Sequence, residues 1–259
     1  GFTTGDGANN NASGYTYVGW NWKAGGTAVS NTAGNVNTTV SANPTAGFSI
    51  ISANTGSTTG ELTLGHGLNA VPSMFIWKNR DVAGQNWQVY HKSTGTGLMR
   101  LNDTGAVNND VVFWNTPTTS LFKMSTHMYQ QNINFIGYCF ADVKGFSKFG
   151  SYVGNGNADG TFVYTGFKPA FVLLKQSTST TQWFMLDNKR NTYNVVNDRL
   201  RPDTSDSGST SLDFMDFTSN GFKMRGTYNG YNVSGGTYIY MAFAENPLVG
   251  TNGVPATAR

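Results

Sequence analysis

TYIYMAFAENP, from Thr237 to Pro247, and NFIGYCFADVK, from Asn134 to Lys144, are nearly the same apolar strand written twice. In the later copy Ile239, Met241 and Phe243 fall on one face of an extended chain. Tyr238, Tyr240, Ala242 and Ala244 fall on the other, because successive strand residues point to opposite sides. Both faces are apolar or aromatic, so the strand is expected at the centre of a sheet covered on both sides. The earlier copy alternates alike, with Ile136, Tyr138 and Phe140 opposing Phe135, Gly137, Cys139 and Ala141.

The likeness extends backwards through the chain in one order. VPSMFIWK (Val71 to Lys78) matches KPAFVLLK (Lys168 to Lys175), QNWQVY (Gln85 to Tyr90) matches TQWFML (Thr181 to Leu186), and LFKM (Leu121 to Met124) matches GFKM (Gly221 to Met224). Ordered anchors of this kind are the mark of an internal repeat. They predict repeat 1 over 47–147 and repeat 2 over 148–247. Residues 1–46 read as an N-terminal strand (Tyr15 to Lys23) plus an extended linker, the strand resembling the end of a preceding repeat. Residues 248–259 read as a tail. The first residue is Gly1, so the chain is expected to be processed or to come from a longer polypeptide.

Composition points the same way. Gly supplies 32 residues, aromatics 14% of the chain and charged residues only 12%, with two glutamates, Glu61 and Glu245. Helical surfaces use Glu freely, whereas Gly and Asn suit turns and Thr suits strands. Short apolar runs separated by turn clusters place about eight strands in each repeat. The expected fold is all-β: two tandem jelly-roll-like, concanavalin- or lectin-like β-sandwich repeats. Each copy forms its own sandwich, or both contribute to one large sandwich.

The chemistry that the residues exclude narrows the function. A net charge of +3 without basic runs argues against nucleic acid. No apolar run reaches the roughly 18 residues of a membrane span. Glycoside hydrolysis needs two facing carboxylates. Asp213 and Asp216 lie on opposite faces of a strand, while Glu61 and Glu245 have no companion acid nearby. His66, His91 and His127 lack ligand spacing, and GNGNADG (Gly154 to Gly160) reads as a polar turn rather than a calcium loop. Cys139 reads as a buried thiol. No catalytic residue, metal or cofactor is expected.

Binding remains. Aromatics shared by both copies, such as Trp87 with Trp183, are scaffold. Lys78 and Lys175 are expected to snorkel at strand ends. The unshared aromatics Trp114, Tyr129, Tyr193, Tyr228 and Tyr231, with Asn229, are the candidate ligand-binding residues. Their rings suit the C–H face of a sugar and their amide neighbours its hydroxyls. The same rings serve equally as a contact for a neighbouring subunit.

YVGWNWKAGG (Tyr17 to Gly26), GFSI (Gly47 to Ile50), GHGL (Gly65 to Leu68), KFGSYVGNGNADGTFVYTGFKPAFVLLK (Lys148 to Lys175), DNKR (Asp187 to Arg190), SNGFKMRG (Ser219 to Gly226) and GGTYIYMAFAENP (Gly235 to Pro247) resemble a duplicated domain of tail-fibre and other virion proteins of marine tailed phages. The resemblance implies a virion structural protein, with other virion proteins and a host cell-surface glycan as partners, and a homo-oligomer, a trimer by preference. It brings no catalytic residues. Its rivals are a purely architectural virion module and a polysaccharide depolymerase.

Overall fold

The computed structural model describes residues 3–5, 7 and 10–245. The expected tail, 248–259, lies outside them. Among the described residues the chain is almost wholly β, with 17 strands, one 3-10 turn at Lys92–Thr94 and one helical turn, α1, at Asn229–Asn232.

The strands pair antiparallel into four sheets. The largest runs in the order β1 (Val29–Asn31), β2 (Thr38–Asn43), β3 (Phe48–Asn54), β10 (Asn134–Phe140), β5 (Met74–Asn79), β6 (Gln88–His91) and β7 (Met99–Arg100). A three-stranded sheet of β4 (Leu62–Gly65), β9 (Leu121–Met124) and β8 (Trp114–Asn115) covers one of its faces. The second half has a four-stranded sheet, β11 (Ser147–Val153), β17 (Thr237–Ala244), β13 (Pro169–Gln176) and β14 (Trp183–Asp187). It is covered by β12 (Phe162–Tyr164), β16 (Gly221–Met224) and β15 (Met215–Thr218). The order β3-β10-β5-β6 reads like β11-β17-β13-β14, with the closing strand second in each.

The two closing strands behave as their alternation predicts. Tyr238, Tyr240, Ala242 and Ala244 join the core under β12, β15 and β16. Ile239, Met241 and Phe243 join a different core, where they meet Phe48, Met74, Val89 and Phe140 of the first half. β10 divides likewise: Phe135 and Cys139 face the small sheet, and Phe140 faces the second half. The molecule is therefore a stack of four layers with three cores between them. Neither expected arrangement describes this alone, since each half has its own core and the large sheets also share one. Gly137 shows how tight the stack is. A Cβ there would lie 2.5 Å from the Phe75 ring, so only glycine lets that ring cross β10.

Two expectations about the first 46 residues change. Tyr15 to Lys23 forms no strand. Instead Trp20 and Trp22 pack onto the shared core, Trp22 with ring centroids 5.9, 5.8 and 5.5 Å from Phe140, Phe171 and Phe243. Gly25–Ala46 is no free linker but contains β1 and β2, which extend the first sheet past β3. The apolar poverty of that stretch reflects an edge hairpin, half of whose residues face water. Near 194–198 the chain makes only isolated bridges such as Val196 to Met215.

Candidate functional site

The six sequence candidates separate. Trp114 is fully buried against Phe75, Tyr90 and Phe122. Tyr231 is 1% exposed, packed on Phe214 at 4.1 Å, and donates its hydroxyl to the Asp213 carbonyl. Neither ring can meet a ligand. Both stand in polar, Gly-rich sequence because turns flank them, while the rings themselves plug the cores. Asn229 opens α1, where its carbonyl accepts the Tyr238 hydroxyl. Tyr228 packs edge-on against Phe184. Tyr193 stands alone in solvent at 85% exposure.

Tyr129 is the candidate that borders a cavity. A cleft of about 130 Å³ opens between the ends of β5 and β6 and the loop that follows β9. Trp77 lies beneath it, 2% exposed and tilted onto Phe135 at 4.0 Å, so its ring belongs to the core. Tyr129 forms one wall, fixed by its hydroxyl donating to the Gly60 carbonyl at 2.7 Å. Burial pushes this phenol up from its ordinary value, so it remains a neutral hydroxyl. The rest of the lining is rich in carboxamides: Asn79, Gln85, Asn86, Gln88 and Gln130. Sequence reasoning missed these five. The available signal was the pair of amide-rich stretches QNWQ (Gln85 to Gln88) and MYQQN (Met128 to Asn132), where the second half has TQWF and a Gly-rich turn.

The carboxamides are held but not exhausted. Asn79 Oδ1 accepts from the amides of Asp81 and Val82. Asn86 Oδ1 accepts from Asn102 Nδ2 at 2.9 Å. Gln88 Oε1 is buried without a partner. With almost no accessible surface, that oxygen faces the interior beside the pocket and not its opening. Lys78 lies outside the lining. Its ammonium donates to the Gln85 carbonyl and lies 5.4 Å from the Trp87 ring centre.

The other sequence motifs with polar side chains are engaged within the fold. In GNGNADG the side chains of Asn155 and Asn157 cap the amides of Asn157 and Asp159, and the Asn232 amide fills the middle of the turn. Asp216 is paired with Arg225 at 2.6 Å. His66 accepts from the Leu68 amide at 3.2 Å and pairs with the Thr118 carbonyl, as a turn residue. Lys175 departs most from expectation. It is fully buried rather than snorkelling, and donates to the carbonyls of Gln176 and Ser179 at 2.7 and 3.3 Å. Desolvation pulls its amine down to about 8, opposed by the fields of Asp203 and Asp103. It continues the Phe171–Leu173 face of β13 toward the first half, where hydrogen bonds tie the halves together. Thr181 N donates to Thr104 O at 3.0 Å, Val107 N to Ser177 O at 2.9 Å, and Trp183 Nε1 to Arg100 O at 2.8 Å.

Neither a curated protein nor a solved structure matches this chain significantly. One family model does, over residues 1–247. With nearly its whole length matched, the chain belongs to the DUF7483 family, a domain of unknown function.

Proposed function

We propose that the protein is a non-catalytic structural module of a phage virion, a tail-fibre unit that contacts the host surface through glycans. In this reading the two halves descend from one jelly-roll-like unit. Several chains, three by preference, associate with one another and with other virion proteins, and weak sites on one oligomer add up. The observation that carries the reading is the cleft between β5, β6 and the 127–133 loop, where the Tyr129 ring and carboxamide side chains converge. Such a lining binds neutral polar ligands but holds no pair of facing carboxylates for hydrolysis. The resemblance of the long sequence motifs to tail-fibre domains supports the virion setting.

The test is adsorption of the oligomer to host cells and to a glycan array. Retention lost on periodate oxidation of the host surface is expected. Release of reducing ends from host polysaccharide, abolished by a single Asp or Glu replacement, would overturn the reading in favour of a depolymerase. A second, purely architectural reading is favoured by Val153, Phe162 and Tyr164. These are 56, 45 and 64% exposed on β11 and β12 and suit burial against a neighbouring subunit. A complex that assembles but adsorbs to no cell envelope selects that reading.

A further inference from the structure

We infer that the outer edge of β11 is a contact between two copies of this chain, in which Phe149–Val153 of each copy pairs antiparallel with its counterpart about a twofold axis at Ser151. The inference goes beyond the reading above, because it names the backbone that joins the chains and needs no glycan.

The first half shows how such an edge is closed. There β2 covers the edge of β3 over Thr39–Asn43. Asn35 and Val36 cover the edge of β4, through bonds with Thr63 and a bridge to Leu64. The strands in these places in the second half are β11 and β12. The chain passes from β10 to β11 through 141–146, too short a link for a covering hairpin, and Val143 bridges only to Ser147. β11 runs seven residues. The remaining edges are short or covered: β1, β7, β8 and β12 have three residues or fewer, while Leu200 and Val196 bridge to β14 and β15. Ser151 and Val153 are exposed, and 149–153 contains neither charge nor proline. An edge left this plain is a template for another strand.

Hydrogen bonds set the register. Ser147 O accepts from Val143 N at 3.3 Å, and Phe149 N donates to Asp142 Oδ1 at 2.7 Å. Residues 147, 149, 151 and 153 therefore turn their backbone groups away from β17. Opposite Val153, Thr237 accordingly turns its carbonyl to Ser177 on the other side. Val153 O accepts from Thr161 Oγ1 at 2.8 Å. Among the described residues this leaves four groups of 149–153 unpaired on that edge: the carbonyls of Phe149 and Ser151 and the amides of Ser151 and Val153.

Residues of a hydrogen-bonded antiparallel pair exchange both N–H···O bonds. With Ser151 opposite Ser151 of a second copy, the two serines exchange both. Each Val153 amide then meets the second copy's Phe149 carbonyl. Phe149 N and Val153 O also face each other in this register, and they are the groups already engaged within their own chain. Every free group finds a partner. An axis at Gly150 instead leaves the Ser151 carbonyl unpaired, and an axis at Tyr152 leaves that of Phe149. Val153, with Phe162 and Tyr164 of the adjoining β12, supplies exposed apolar surface beside the paired strands. The same patch meeting itself is the geometry of a twofold contact.

The experiment measures the mass of the 259-residue protein by sedimentation equilibrium in the micromolar range. An even multiple of the 27.9 kDa chain is expected. Ser151→Pro removes an outward amide, touches no bond to β17, and is expected to weaken the pairing at least tenfold. Ser151→Lys and Ser151→Glu each set like charges opposite one another. Each is expected not to pair alone, and the two are expected to pair when mixed. Unchanged near-ultraviolet circular dichroism checks that the variants fold, and the mixed pair carries the test should the proline variant not fold. An odd multiple, or association indifferent to these substitutions, overturns the inference and leaves the three-chain association proposed above standing. Lys and Glu variants that fail to pair on mixing also overturn it. Single chains throughout overturn both the inference and that association.

Discussion

Lys175→Met tests the energetics of the seam between the halves. The amine is fully buried, and desolvation lowers it from 10.5 to about 8. At 1.36 kcal/mol per pH unit this corresponds to about 3 kcal/mol between the native and unfolded chains. The sign follows from linkage. Below about 8 both states carry the proton, and the native state bears the full penalty of a desolvated ammonium. Between about 8 and 10.5 the native amine is neutral while the unfolded one is still charged, so the penalty is relieved as pH rises. Wild-type stability should therefore climb relative to the methionine variant by about 2 kcal/mol between pH 7 and pH 10. The offset at any one pH also includes the carbonyls of Gln176 and Ser179, which lose their donor at a cost of about 1 kcal/mol each. That offset does not depend on pH. Buried tyrosines titrate in both proteins and cancel in the difference. Urea unfolding at pH 7, 8, 9 and 10, followed by tryptophan fluorescence, measures it. With m near 2–3 kcal/mol/M, the gap in midpoints should move by close to 1 M. Two midpoint curves that run parallel across this range would refute the argument and mean that Lys175 reaches water.

His91 should respond in the opposite pH range. Its Nδ1 accepts from the Ser93 amide and its Nε2 pairs with the Tyr240 carbonyl at 3.1 Å, across the seam, and burial lowers it to about 4. Stability should fall by up to about 3 kcal/mol as pH drops from 6.5 to about 4. The His91 ring proton should keep its neutral chemical shift at pH 5, and an ordinary titration near 6.5 would contradict this. Trp22→Ala should lower stability by about 2–3 kcal/mol, less than a fully buried tryptophan, and an unchanged melting temperature would show that the arm is not docked. Cys139, buried beside Ser49 with its thiol pushed far up, should stay unmodified by dithionitrobenzoate for hours in buffer and react at once in guanidinium. Rapid native labelling would place it at the surface.

The fold was legible wherever strand alternation had a physical counterpart. Both faces of Tyr238–Ala244 read as apolar, and both are buried, because two different cores need them. What alternation could not say is what lay beyond each face. A sequence marks a residue as buried without naming its partner, so the shared core between the large sheets went unread. Trp20 and Trp22 illustrate the point: their spacing imitates a closing strand, yet their role is to pack, unpaired, across an edge. The site was less legible for a related reason. Aromatic residues in Gly-rich turns look exposed, but Trp114 and Tyr231 use the freedom of neighbouring turns to swing inward. The cleft is built from amides on β5, β6 and a distant loop, whose convergence depends on strand register. Lys175 was misread because a terminal lysine normally reaches water. Here the 100–107 segment of the first half closes over it.

Trp22 has a further consequence. It is synthesised long before Phe243, one ring that seats it, which belongs to the last strand described. The arm must wait, undocked, while nearly everything it will touch is being made. Contacts between such distant parts of a chain slow folding and lengthen the time that greasy surface stays uncovered. Truncations near Ala244 should therefore be felt first around Trp22, as an arm with nowhere to land.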